Sequence, residues 1–237
     1  MTVGNTDVGL QLPLAISLRP RADFDSFVVG RNAELVNLLR RISVDRPVSS
    51  VWIHGPEGRG KTHLLQAICH ALGQSGETAV YLPMGEIMGL SAGVFAGIER
   101  NAAVLCLDDV EVMAGHPRWE HALFDLYNRA GDAQTTLVLA AHAPPLELNF
   151  GLADLRSRLA ASVVYRLHAL SDADKVAALC RHAQGRGLDL AEPVARYLVA
   201  REPRDLVALF GILDRLDRAS LEAKRRLTVP FVRRVLD

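Results

Sequence analysis

The sequence predicts an α/β protein: a central parallel sheet flanked by helices, followed by a small all-α unit. Three observations carry this. Short apolar runs alternate with amphipathic helical stretches from about Phe24 to Leu167, the pattern of strands joined through helices. After Leu170 the strand patterns stop and helical ones follow one another. Within the first stretch, the glycine-rich "GPEGRGKT", Gly55 to Thr62, separates a predicted strand from a predicted helix.

Residues 1–18 show no sustained periodicity, and "RPRADFD" (Arg19 to Asp25) reads as an extended linker. "RNAELVNLLRRI" places Leu35, Leu39 and Ile42 on one helical face, and "VSSVWIH" (Val48 to His54) is a strand rich in β-branched residues. A helix from Lys61 carries Leu64, Leu65, Ile68 and Leu72, and "TAVYLPM" (Thr78 to Met84) is the next strand. "VLCLDDV" (Val104 to Val110) has the apolar character of a strand covered on both faces. "WEHALFDLYNRA" sets Trp119, Ala122, Leu123, Leu126 and Tyr127 in one helical stripe, and "TTLVLAAH" (Thr135 to His142) and "VVYRL" (Val163 to Leu167) complete the strands. In the helical unit Ser171 and Asp174 form a capping box, Pro193 opens a second helix, "RDLVALFGILDRL" is a third, and a fourth follows Thr228 and Pro230. The predicted division is a tail over 1–18, the α/β base over 19–170 and the helical unit over 171–237.

Composition excludes several function classes. The 27 basic and 27 acidic residues cancel, so no global field would hold nucleic acid or an anionic membrane. The 3 cysteines, Cys69, Cys106 and Cys180, lie far apart in apolar patterns with no CxxC pair, which predicts core residues in a reducing cytosol. No apolar stretch approaches the roughly 20 residues of a membrane span. The apolar run Leu10 to Ile16 lacks the basic flank of a secretory signal and is interrupted by Pro13, so it is expected to be retained. The 8 histidines show no metal-ligand spacing, and no G-x-S-x-G elbow occurs. Lys224, Arg225, Arg226, Arg233 and Arg234 read as solvated faces of predicted helices.

"GPEGRGKT" fits G-x-x-x-x-G-K-[ST], a pattern with a mechanism. Glycines let backbone amides close around phosphate oxygens, the helix N-terminus adds positive potential, Lys61 reaches the β- and γ-phosphates, and Thr62 helps hold Mg²⁺. The candidate nucleotide-binding residues are Gly55, Pro56, Glu57, Gly58, Arg59, Gly60, Lys61, Thr62 and His63. Such a site also needs a carboxylate at the end of a neighbouring strand. "LCLDD" supplies Asp108 for the metal and Asp109 where a glutamate usually polarises water; Asp is one methylene shorter, which predicts slow hydrolysis in cis.

The order of elements, "GPEGRGKT" and "LCLDD", together with "FDLYNRA" (Phe124 to Ala130), "LNFGLADLRSRLA" (Leu148 to Ala160) and the C-terminal "LDRLDRASLEAKRRLTVPFVRRVL" (Leu213 to Leu236), resembles the DnaA-related AAA+ ATPases, most closely their Hda-type regulatory inactivators, over nearly the whole chain. The resemblance implies ADP or ATP with Mg²⁺ bound between an AAA+ P-loop base and a helical lid. It implies that Arg158, in "LRSR", is an arginine finger acting on nucleotide held by a neighbouring molecule, with Arg156 the competing candidate, and that Arg204, in "PRDL", is the sensor 2 residue. At the sensor 1 position Ala141 and His142 stand where Ser or Thr beside Asp is usual. The tail acquires a meaning too: Gln11, Leu12, Leu14 and Ile16 reproduce, with Ile in the last place, a Q-x-x-L-x-[LF] peptide that docks on the replicative sliding clamp, the β subunit of DNA polymerase III.

The implied function is stimulation of ATP hydrolysis by the initiator DnaA, preventing re-initiation of replication, by a cytoplasmic protein whose own ATPase is weak and which reaches DNA only through the clamp. A lid followed directly by Asp237 implies no DNA-reading domain. A homo-oligomer stays open. So do two other classes, a stand-alone ATPase such as a helicase loader or remodeller with Asp109 catalytic in cis, and a clamp adaptor shaped by nucleotide.

Overall fold

The computed structural model describes residues 22–201, 206–223 and 225–236. Within them β1 (Ser50–His54), β2 (Ala79–Pro83), β3 (Val104–Asp108), β4 (Thr136–Ala141) and β5 (Val163–Arg166) form one sheet in the order β2-β3-β4-β1-β5. Every pairing is parallel. Connections between parallel strands must cross over the sheet, and here they do so through helices on both faces.

Alternation along the strands builds two cores. Val51, Ile53, Val104, Cys106, Val138 and Ala140 face α1 (Ala33–Ile42) and α2 (Lys61–Gln74), which contribute Leu35, Leu39, Leu64 and Ile68. Trp52, Leu105, Leu107, Leu137 and Leu139 face the other way, against Leu123 and Leu126 of α4 (Pro117–Asp132) and Leu155 and Leu159 of α5 (Ala153–Ala160). Each fully buried Leu or Ile contributes about 1.5–3 kcal/mol relative to exposure. The central strands therefore read as continuous apolar runs, whereas β5, at the sheet edge, leaves Val163 and Val164 exposed.

The helices after β5 enclose a core of their own. Leu179 of α6 (Asp172–Gln184), Leu198 of α7 (Glu192–Arg201), Leu213 and Leu216 of α8 (Leu206–Ala223) and Phe231 of α9 (Val229–Leu236) meet in it. The capping box at the head of α6 is present in both directions, with Ser171 Oγ accepting from Asp174 N–H and Asp174 accepting from Ser171 N–H, each at 3.1 Å. Among the described residues no helix is long and apolar enough to cross a membrane, and all three cysteines are free thiols.

Several elements depart from expectation. β3 ends at Asp108 rather than Val110, because Asp109 turns into the left-handed region (φ 53°) and Val110–Met113 winds into a 3-10 turn. Short α3 (Met84–Ile87), the 3-10 turns Ala92–Phe95 and Ile98–Asn101, and α5 have no counterpart among the predicted elements. Arg225 and Arg226 occupy the connection between α8 and α9, not a helix; Arg233 and Arg234 do lie exposed on α9.

One buried carboxylate ties α4 to the start of α5. Glu120, 2% exposed, accepts N–H bonds from Gly115 (2.8 Å), Gly151 (3.0 Å) and Leu152 (2.8 Å), the last being the residue that caps α5. Burial alone would raise its pKa, but these three donors outweigh burial and hold it below the usual glutamate range. Because the folded pKa is depressed, the stabilisation is present above the unfolded value of about 4.3 and is lost as pH falls through the folded one. Glu120→Ala is expected to cost about 2–3 kcal/mol at neutral pH in urea unfolding, with the gap to wild type closing as the pH is taken below 4.

Candidate functional site

Two backbone hydrogen bonds at the end of β1 place the glycine-rich loop. Gly55 N–H donates to the Ala141 carbonyl at 3.2 Å, and the His54 carbonyl accepts from Leu167 N–H at 2.7 Å. At the other end Gly60 adopts φ 99°, and a Cβ there would stand 2.9 Å from Phe27 Cε2, so the residue that closes the loop into α2 has to be glycine. Lys61, the first residue of α2, is 8% exposed, and its Nζ donates to the carbonyls of Gly55 (2.8 Å) and Pro56 (3.3 Å). A buried ammonium needs such acceptors. A glycine-rich loop that ends at the N-terminus of α2, with a buried cation against it, has the parts of an anion cradle.

Pro56, Glu57 and Gly58 are exposed on the rim, and Arg59 and Thr62 are partly buried. His63 is engaged elsewhere: its Nε2 lies 2.8 Å from the Asp23 carbonyl and its ring packs on Phe27 at 5.4 Å between centroids. Asn32, 4% exposed, pins the same N-terminal segment to the connection beyond β5, accepting from His168 N–H at 2.7 Å and donating to the carbonyls of His168 and Val29, both at 3.2 Å.

Asp108, 1% exposed at the end of β3, accepts from the Tyr81 hydroxyl (2.9 Å) and from Asp109 N–H (3.2 Å). Strand alternation puts its side chain on the sheet face that carries α2 and hence Thr62. Asp109 opens to solvent on one side; partial burial on the other, with Asp108 and Glu111 adding like charge, raises its pKa, and Lys61 opposes the rise. Glu111 Oε1 accepts from both the backbone N–H (3.1 Å) and ring Nδ1 (2.9 Å) of His142, so this histidine, expected at the sensor 1 position, is held by a glutamate from the 3-10 turn after β3.

The residues present fit a nucleotide with Mg²⁺. The cradle admits no side chain at Gly60, and Asp108 with Thr62 would supply the one or two oxygen ligands that Mg²⁺ takes from protein when phosphates and water complete its shell. Among the described residues no group of three or more His, Cys, Asp or Glu side chains could hold a metal without such help. Arg156 and Arg158 are exposed on α5, on the sheet face opposite α2, and neither has an ion-pair partner among the described residues. Gln11, Leu12, Leu14 and Ile16 of the tail, and Arg204, lie outside the described residues.

Sequence reasoning missed Tyr81, Glu111, Glu120 and Asn32. Each acts on a partner distant in sequence, and no local pattern announces that; the adjacency of Glu111 to the Asp108–Asp109 pair was the only signal available.

A phosphate cradle after β1, a carboxylate ending β3 and a helical unit after β5 define a P-loop ATPase of the AAA+ class, which binds nucleotide. Residues 18–166 match the bacterial DnaA ATPase domain, and residues 172–236 match the Hda lid domain. The chain therefore belongs to the bacterial DnaA ATPase-domain family and, with that lid, is an Hda-like protein. The fold agrees with solved structures: domain III of the Thermotoga maritima replication initiation protein DnaA superimposes with a TM-score of 0.81 at 21% identity, covering 93% of this chain and 97% of that one. AMPPCP-bound DnaA from Aquifex aeolicus gives 0.76 at 21% identity, over 86% and 67% of the two chains. The Thermotoga maritima RuvB Holliday junction branch migration motor gives 0.72 at 19%, over 92% and 72%.

Binding at the loop is expected to raise the melting temperature of the wild-type protein when ADP or ATP is added with Mg²⁺, equivalent to about 2.7 kcal/mol at a hundredfold excess over Kd. Lys61→Ala is expected to remove most of that shift in a thermal melt.

Proposed function

We propose that this Hda-like protein regulates DnaA by acting on nucleotide it does not itself hold. It binds adenine nucleotide at Gly55 to Thr62, with His63 beside the loop, Lys61 on the phosphates, Asp108 and Thr62 toward Mg²⁺, and Arg204 contributing from the lid. It docks through Gln11, Leu12, Leu14 and Ile16 on DNA-loaded sliding clamp, and there presents Arg158 to ATP bound by DnaA. The division into a clamp-binding tail, a nucleotide-binding base and a lid belongs to the same proposal.

The observation that carries the reading is the position of α5. Arg158 stands exposed on the sheet face opposite α2, the helix that begins at the phosphate loop, which suits a cation meant for another molecule's phosphates. Guanidinium charge delivered to a developing phosphoryl transition state is worth about 10³ to 10⁵ in rate for such fingers. When bound, Mg²⁺ would neutralise charge on the β- and γ-phosphates. In this chain's own site, the group nearest the role of water-polarising base is Asp109, whose side chain, one methylene shorter than glutamate, suits a low turnover in cis.

Phosphate release from ATP-loaded DnaA, measured with and without this protein and DNA-loaded clamp, tests the proposal. Clamp-dependent acceleration is expected, reduced about 10³-fold or to background by Arg158→Ala and lost in Gln11→Ala. No acceleration by a protein that still binds nucleotide and clamp would replace the finger with an adaptor role. Rapid turnover without DnaA, abolished by Asp109→Asn, would instead make the protein a stand-alone ATPase.

A further inference from the structure

Asp108 is held by a hydroxyl from the neighbouring strand, with a glutamine of α2 behind it. The Tyr81 hydroxyl on β2 donates to Asp108 Oδ2 at 2.9 Å, and the side chain of Gln66 comes to the same hydroxyl from α2. Chemistry dictates the direction. An ionised carboxylate can only accept, so Tyr81 donates to Asp108; the phenolic oxygen then accepts, and Gln66 must present its NH₂. Gln66 is 4% exposed and Asp108 1%, which leaves water little part in holding the carboxylate.

The placement matters because of what lies at the two ends. Gln66 is four residues after Thr62 on α2, hence on the same side of that helix. Thr62 and Gln66 therefore face the same way from α2, and Gln66 comes to the Tyr81 hydroxyl that holds Asp108. Pro83 pairs with Asp108 and Tyr81 with Cys106, so the tyrosine belongs to the strand directly beside the carboxylate it holds.

We propose that Tyr81, backed by Gln66, is a positioning residue for Mg²⁺ in the nucleotide site: it fixes the rotamer of Asp108, and so the geometry in which that carboxylate meets a cation beside Thr62. The inference rests on the reading of Asp108 and Thr62 as the Mg²⁺ residues. Mg²⁺ demands near-ideal octahedral geometry at short distances, so a carboxylate free to rotate serves it poorly. Partners that orient a ligand from behind are typically worth about 10–100-fold in metal affinity.

The test is binding of fluorescent ADP and ATP analogues to the full chain, titrated with Mg²⁺ and repeated in EDTA. Tyr81→Phe is expected to raise the Mg²⁺ concentration for half-maximal effect about 10–100-fold while leaving metal-free nucleotide affinity within about twofold. Gln66→Leu should act in the same direction and carries the test if Tyr81→Phe fails to fold. Tyr165→Phe deletes a hydroxyl that donates to Glu34 at 3.0 Å and should change neither quantity. An unaltered Mg²⁺ requirement in both variants, or equal weakening with and without Mg²⁺, would overturn the role given to Tyr81. Asp108→Asn separates the two readings: if it abolishes the Mg²⁺ dependence while Tyr81→Phe and Gln66→Leu do not affect it, the positioning role alone falls. If Asp108→Asn leaves the dependence intact, or wild type shows none, the metal assignment falls and takes Tyr81 with it.

Discussion

The phosphate loop is held by the seating of β1 between β4 and β5. Gly55 N–H bonds to the end of β4, and the His54 carbonyl is bonded by the residue that follows β5. Because those partners lead directly to His142 on one side and to the connection toward α6 on the other, three functional segments share one set of backbone bonds. Asn32 adds a fourth by binding the N-terminal segment to His168. A parallel sheet makes this arrangement available, since the C-terminal ends of all its strands open on one edge and the loops there are neighbours whatever their separation in the chain.

Charge at that edge is unbalanced in a way that suits its ligand. Asp108, Asp109 and Glu111 crowd the end of β3, and the pKa of Asp109 rises with burial and with that company. Hydrogen bonding offsets part of the repulsion: Asp108 takes Tyr81 and a backbone amide, and Glu111 takes two donors from His142. A divalent cation would offset more, and Lys61 already lies near enough to favour ionised Asp109. The acidic cluster and the cationic loop thus carry opposite charges that phosphate and metal together would neutralise.

Much of the fold was legible because its signals are local. Apolar runs of strand length, the stripe from Trp119 to Tyr127, and Ser171 with Asp174 each act over a few residues, and each forms the element expected. The short helix α5 escaped because its apolar positions, Leu155 and Leu159, are only two; its start is set by Glu120 from α4, a contact invisible to a local window. The strand at Asp108 stops early for a similar reason. Periodicity continues to Val110, yet Asp109 is turned left-handed where the backbone leaves the sheet. In the site, the loop and the paired aspartates were legible as motifs, while the side chains that orient them were not, because orientation is a relation between distant strands.

Strand order also has a consequence for how the molecule comes into being. Gly55 to Thr62 is synthesised early, but β1 finds no sheet partner among the strands that immediately follow it, since both its neighbours, β4 and β5, emerge much later from the ribosome. Until Thr136–Ala141 has been made, the loop has no carbonyl of Ala141 to receive Gly55 N–H, and the long closure needed to bring β4 alongside β1 is the slow kind. A nascent chain cut short before β4 thus carries the whole phosphate-binding motif with nothing to hold it in shape, so competence to bind nucleotide is a mark of a nearly finished base.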